Sequence, residues 1–296
     1  MAPTPIDPIR RTFRRILSGD EEGRPAWVRA LAEPGDAGWF EPGSAIWQVN
    51  GSLATLVGGI RALLLQACHP LALAGVEQHS SYRDDPLGRL QRTNMFVTTT
   101  TFGSTTLATR ATQMVKAVHQ RVAGETADGR RYSAEDPHLL MWVHIGLVDS
   151  MLAAAQKYHW QGVDADAYVA QMAVVGRHLG VIDPPTSQTE LRATLSSFDD
   201  ELVSSRSARN VASFLQFPGR ALPAGAIPGY MLLSRAAVDL LPPSAIPILR
   251  VPDRSTLQRR VNELACTAML RSLLPIVGRH SQATLLSYER VGVSPP

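Results

Sequence analysis

Apolar residues in this chain recur every three or four positions in most windows, and strict alternation is short and rare, so helical periodicity dominates. The pattern predicts a first helix over residues 6 to 18 and a second over 24 to 32. A Gly- and Pro-rich loop holding Trp39, Phe40 and Trp47 follows. A long apolar helix covers Ser52 to His69, and Pro70 suits the first turn of the next one. Asp85 reads as an N-cap with Pro86 at the first helical position, opening the helix that carries "GRLQRTNMFVTTTTFG". Ser104 to Ala123 is amphipathic, and Asp128 to Arg131 marks a turn suited to the tip of a small hairpin.

Asp136-Pro137 caps a helix that runs to about His159, and Asp164 to Gly180 forms the next, with Gly180 a natural C-cap. Ser187 to Phe214 holds one or two more helices, residues 217 to 226 form a loop, and helices near 228 to 240 and 253 to 274 close the domain. "FVTTTTFGSTT" is the one long β-branched stretch. The expected fold is all-α, a single large helical domain of about ten helices.

Composition narrows the functional classes. Apolar residues make up 45% of 296, enough for a large core. The balance of 29 basic against 26 acidic residues leaves a net charge of only +3. Clusters such as "IRRTFRR" are not extended into a stripe interleaved with aromatics, so no nucleic-acid partner is expected. Cys68 and Cys266 lie far apart in apolar surroundings, which rules out a zinc site built on cysteine and suits a reducing compartment. The N-terminal charges are followed by "ILSGDEEG" rather than an apolar stretch, so no secretory signal is read. No window reaches the roughly 18 uninterrupted apolar residues of a membrane span. The expectation is a cytoplasmic chain without a transmembrane segment.

Candidate chemistry begins at "LLMWVHIGLVDSM", Leu139 to Met151. On a helix His144 shares a face with Leu140, Met141, Leu147 and Val148, with no second His, Cys or carboxylate three or four residues away. A di-iron or helical zinc site wants such a neighbour. Two readings remain open: a core histidine satisfied by its surroundings, or the single axial donor of a haem. In "GRLQRTNMFVTTTTFG", Arg89, Arg92 and Thr93 share a face that Phe96, Val97 and Thr100 continue. An amphiphilic, anionic ligand such as haem with its propionates would use both halves of that face; arginines paired with Glu77, Asp84 or Asp85 are the other reading. His69, Glu77 and His79 offer two imidazoles and a carboxylate, but at a spacing that matches no compact iron site, and His69 suits a helix C-terminus better. GxSxG, P-loop and GxGxxG motifs are absent, and the paired glycines of "LVGGIR" read as a close helix contact.

At "RALLLQACHPLALAGV", "DPLGRLQRTNMFVTTTTFGS" and "LLMWVHIGLVDS" the chain resembles the catalytic domain shared by latex-clearing proteins (rubber oxygenases) and the olefin-cleaving oxygenase of mycophenolic acid biosynthesis. The resemblance covers about residues 40 to 240. It implies a globin-like core with one b-type haem, His144 as the proximal iron ligand, and Arg89 and Thr93 on the distal-side helix. Phe96, Val97, Met141 and Val148 would then wall the cofactor. Arg92 falls where rubber oxygenases can carry an iron-capping lysine, a role that a permanently protonated guanidinium does not fill. Glu77 falls near the family's acid–base carboxylate.

The implied division is an N-terminal helical extension over 1–39, a haem-binding catalytic domain over 40–250, and C-terminal helices over 251–296 packed on the same core. The implied activity is O2-dependent oxidation or cleavage of a C=C bond in an apolar, isoprenoid-like substrate. A non-catalytic haem- or gas-binding protein and a haem-free binder of lipid-like ligands are the alternatives.

Overall fold

The computed structural model describes residues 6–80, 83–159, 161–217 and 221–295. Pro218 to Arg220, part of the loop expected at 217–226, lie outside the described residues. The elements run α1 (Asp7–Ser18), α2 (Ala26–Arg29), α3 (Ala45–Asn50), α4 (Thr55–Gln66), α5 (Pro70–His79), α6 (Pro86–Phe102) and α7 (Thr105–His119). A small hairpin of β1 (Ala123–Glu125) and β2 (Arg131–Ser133) follows. Then come α8 (Pro137–Tyr158), α9 (Ala165–Leu179), α10 (Gln188–Ser197), α11 (Arg206–Gln216), α12 (Ile227–Asp239), α13 (Ala245–Leu249), α14 (Thr256–Val277) and α15 (Gln282–Arg290).

The all-α class holds, with fifteen α-helices among the described residues rather than about ten. Three of the extra helices, α3, α13 and α15, are five to nine residues long. Pieces that short show too few turns for a 3.6-residue period to stand out.

Local chemistry explains the longer helices. The side chains of Asp85, Ser104, Asp136 and Asp164 accept backbone N–H groups of Gly88, Leu107, His138 and Ala167 and so cap α6 to α9. Gly180 ends α9 in the left-handed region at φ 100°, where a side chain would be strained. The β-branched run Thr98 to Thr101 is helical and buried. Thr100 Oγ1 donates to the Phe96 carbonyl and Asn50 donates to Thr101 Oγ1, so these hydroxyls are satisfied inside the fold.

The core is centred on α8 lying against α4. Trp142, Ile145, Val148 and Leu152 of α8 and Val57, Leu64 and Leu65 of α4 are almost wholly buried. Gly58 allows the approach, since a Cβ there would stand 2.8 Å from Met151 Sδ and 3.1 Å from the Ser150 carbonyl; Gly59 faces open space, so only one of the paired glycines serves the contact. Arg61, 3% exposed, crosses this interface: Nη1 donates to Ser150 Oγ at 2.7 Å, Nε to the Leu240 carbonyl at 2.8 Å, and Nη2 lies 2.6 Å from Asp149 Oδ2, off the line of a hydrogen bond. By length and composition α8 is apolar enough to cross a bilayer, but 61% of its most apolar window is buried within the protein.

The chain ends close over one another. Val28 and Leu31 pack with Ala283 and Leu286 in a small second cluster, and Arg290 donates to the Leu31 and Phe102 carbonyls.

Candidate functional site

His144 occupies the buried face of α8, 7% exposed, and packs on Gly176 of α9. A Cβ at 176 would stand 2.8 Å from the ring's Cε1 and 3.1 Å from both Nδ1 and Nε2. Those near-equal distances place α9 over the face of the ring, because an in-plane approach would leave the nitrogens markedly farther than Cε1. The in-plane lone pair of Nε2 is therefore not the surface that Gly176 covers. Nε2 is buried and has no hydrogen-bond partner among the described residues. Burial lowers the ring's pKa to about 4, so the imidazole is neutral near pH 7. A dry, uncharged imidazole nitrogen left without a donor or acceptor is the property an axial metal ligand requires, and an ordinary core histidine would bond a carbonyl instead. Val148 is fully buried on the same helix and Met141 partly so.

The second candidate face is on α6. α6 packs chiefly on α1, α3, α7 and α15, and α8 chiefly on α3, α4, α5, α9 and α10, so α3 lies against both helices. Within α6, Arg89 is half-buried and its Nη1 donates to Ser80 Oγ at 2.9 Å. Arg92 is 61% exposed and pairs with Asp85 at 3.2 Å. Thr93 is exposed, with its hydroxyl donating to the Arg89 carbonyl. Phe96 and Val97 are half-buried. The structure thus keeps Arg89, Arg92 and Thr93 together on one helix, as the spacing predicts.

The Arg89 end of α6 meets the end of α5. Glu77 lies 3.3 Å from Arg83, His79 Nε2 lies 3.1 Å from the Tyr132 hydroxyl, and that hydroxyl donates to Gln78 at 2.7 Å. Glu77 and His79 are therefore committed to different partners, and neither joins His69. His69 caps the N-terminus of α5, its Nδ1 accepting the Ala72 N–H, rather than serving the C-terminus of α4. A neutral imidazole is an acceptor at one nitrogen, and the free N–H groups of a helix start supply the donor. Its Nε2 turns to Glu201, which also holds His138. That grouping was not readable from spacing, because the three residues come from segments more than sixty positions apart.

Compared with known families, residues 47–273 match the model described as "ER-bound oxygenase mpaB/B'/Rubber oxygenase, catalytic domain". Neither a curated protein nor a solved structure gives a significant match.

Proposed function

Because the chain belongs to the mpaB/rubber oxygenase catalytic-domain family, we propose that its oxygenase domain binds one b-type haem and uses O2 to oxidise or cleave a C=C bond of an apolar, isoprenoid-like substrate. The observation that carries the haem reading is the buried, unpartnered Nε2 of His144. When bound, haem supplies the iron at which O2 is activated.

The protein's own groups would act as follows. His144 offers a neutral nitrogen donor held in place by α9, and the dry surroundings keep it unprotonated across the physiological range. Arg89 and Arg92 fit carboxylates, from propionate or substrate, through charge-assisted hydrogen bonds. Phe96, Val97, Met141 and Val148 offer the apolar surface that an olefin or a macrocycle needs. No cysteine pair precedes a histidine in a CxxCH arrangement, so the haem would be held without covalent attachment.

The test is the visible spectrum of the chain purified from haem-supplemented cells. A Soret band extractable by acid acetone, with O2 uptake and carbonyl products on adding a polyisoprenoid olefin, supports the reading. A colourless chain that also refuses added hemin rejects the haem. A haem-loaded chain that consumes no O2 with such olefins is a carrier or gas binder.

A further inference from the structure

Three donor side chains converge at the start of α8, apart from His144. His69 comes from the N-cap of α5, His138 from the first turn of α8, and Glu201 from the 3₁₀ turn Asp199–Glu201. Their ligand atoms all lie within 4.8 Å of one another. His138 Nε2 stands 2.8 and 2.9 Å from the two Glu201 oxygens, and His69 Nε2 stands 3.3 Å from Oε2. Aromatic side chains pack on both rings. Phe198 stacks on His138 with centroids 4.4 Å apart at 23°, while Trp142 lies 5.8 Å from the ring of His69.

We propose that His69, His138 and Glu201 form a binding site for a first-row divalent cation, with zinc the best fit. Tetrahedral zinc with bonds near 2.0 Å holds neighbouring ligand atoms about 3.3 Å apart. The His69–Glu201 separation already equals that edge, and His138 and Glu201 need open by only about half an ångström. Two imidazoles and one carboxylate are a borderline nitrogen and oxygen set suited to zinc rather than to magnesium or calcium. The His69 side chain is 2% exposed, against 55% for His138 and 40% for Glu201, so the fourth position opens toward solvent.

Ligation through Nε2 of His69 requires its proton to leave that nitrogen. The cap from Nδ1 to the Ala72 N–H is long, at 3.4 Å, and is the contact given up when the ring proton moves to Nδ1. A bound cation pins the 199–201 turn and the start of α5 to the first turn of α8, six residues ahead of His144 on the same helix.

Isothermal titration of the full chain with Zn2+, in chelator-washed buffer, tests this. The expected result is one equivalent whose affinity falls at least tenfold in both His138→Ala and Glu201→Gln, while His144→Ala binds zinc as the wild type does. Zinc should also raise Tm of the wild type and not of His138→Ala. His69 is buried and its replacement endangers folding, so the half-exposed His138 is the working variant, with helicity checked by circular dichroism. A wild type that binds no stoichiometric zinc, or zinc binding that survives both substitutions, overturns the site and leaves a carboxylate bridging two imidazoles. The zinc and haem readings stand or fall separately, since His144→Ala removes only the latter.

Discussion

The ring of His144 rests on the backbone of Gly176, with a Cβ at 176 placed 2.8 Å from Cε1. An alanine there must displace either the imidazole or α9. Overpacking of this kind costs about 1–3 kcal/mol. Gly176→Ala should therefore lower Tm and reduce the haem retained after gel filtration. Gly59→Ala is the contrast: nothing lies within 4 Å of its Cβ position, and replacing a helical glycine by alanine gains about 0.5–1 kcal/mol. If the two alanine variants melt alike, the contact between His144 and α9 is not as described.

His144 should be distinguishable from the other histidines by cofactor content. His144→Ala removes the one buried imidazole nitrogen without a partner among the described residues and should abolish the Soret band, or lose most haem on dilution. Replacing His119 or His178 should leave haem content near wild type. Bleaching in His119→Ala with colour kept in His144→Ala would move the haem ligand to the end of α7, a helix that packs on α6.

Stability of the haem-free chain should fall in mild acid. Burial lowers the His144 pKa from 6.5 to about 4, so between those values the unfolded chain takes up a proton that the folded chain refuses. The contribution is complete above pH 6.5, declines as pH drops toward 4, and is level below that. At about 1.4 kcal/mol per pH unit the loss is roughly 3 kcal/mol. His69 and His119 are shifted in the same direction, also by burial first, so the slope in His144→Leu should be reduced rather than removed. Denaturant melts at pH 7, 6 and 5 check this, and parallel curves for wild type and variant would refute it.

Local signals were legible in the sequence where the physics is local. Asp85, Ser104, Asp136 and Asp164 cap helices because a side-chain oxygen reaches N–H groups two or three residues on, a relation that spacing alone displays. The burial of His144 was legible from its apolar neighbours, and the shared face of Arg89 and Thr93 from the helical period. The partners of His69 were not, because Glu201 and His138 reach it only through the packing of α5, α8 and the turn after α10. Arg61 did leave a signal: one charge inside the apolar run "TLVGGIRALLLQ" announces a buried partner, though not which one.

That charge supports the last prediction. Arg61 is nearly sealed from water, and its three contacts tie α4 to α8 through Asp149 and Ser150 and to the end of α12 through the Leu240 carbonyl. Arg61→Met removes the guanidinium and leaves the carboxylate of Asp149, 17% exposed, without its counter-charge. Breaking one side of such a pair costs about 3–5 kcal/mol, because the remaining ion stays desolvated. Asp149→Leu alone should be nearly as damaging for the same reason. The double replacement removes both ions and fills their space with apolar atoms, so it should regain most of the loss, short of the bonds to Ser150 and Leu240. Urea midpoints of the four proteins give the coupling directly. Additive losses in the double variant would mean that Arg61 acts through packing of its stem rather than through charge.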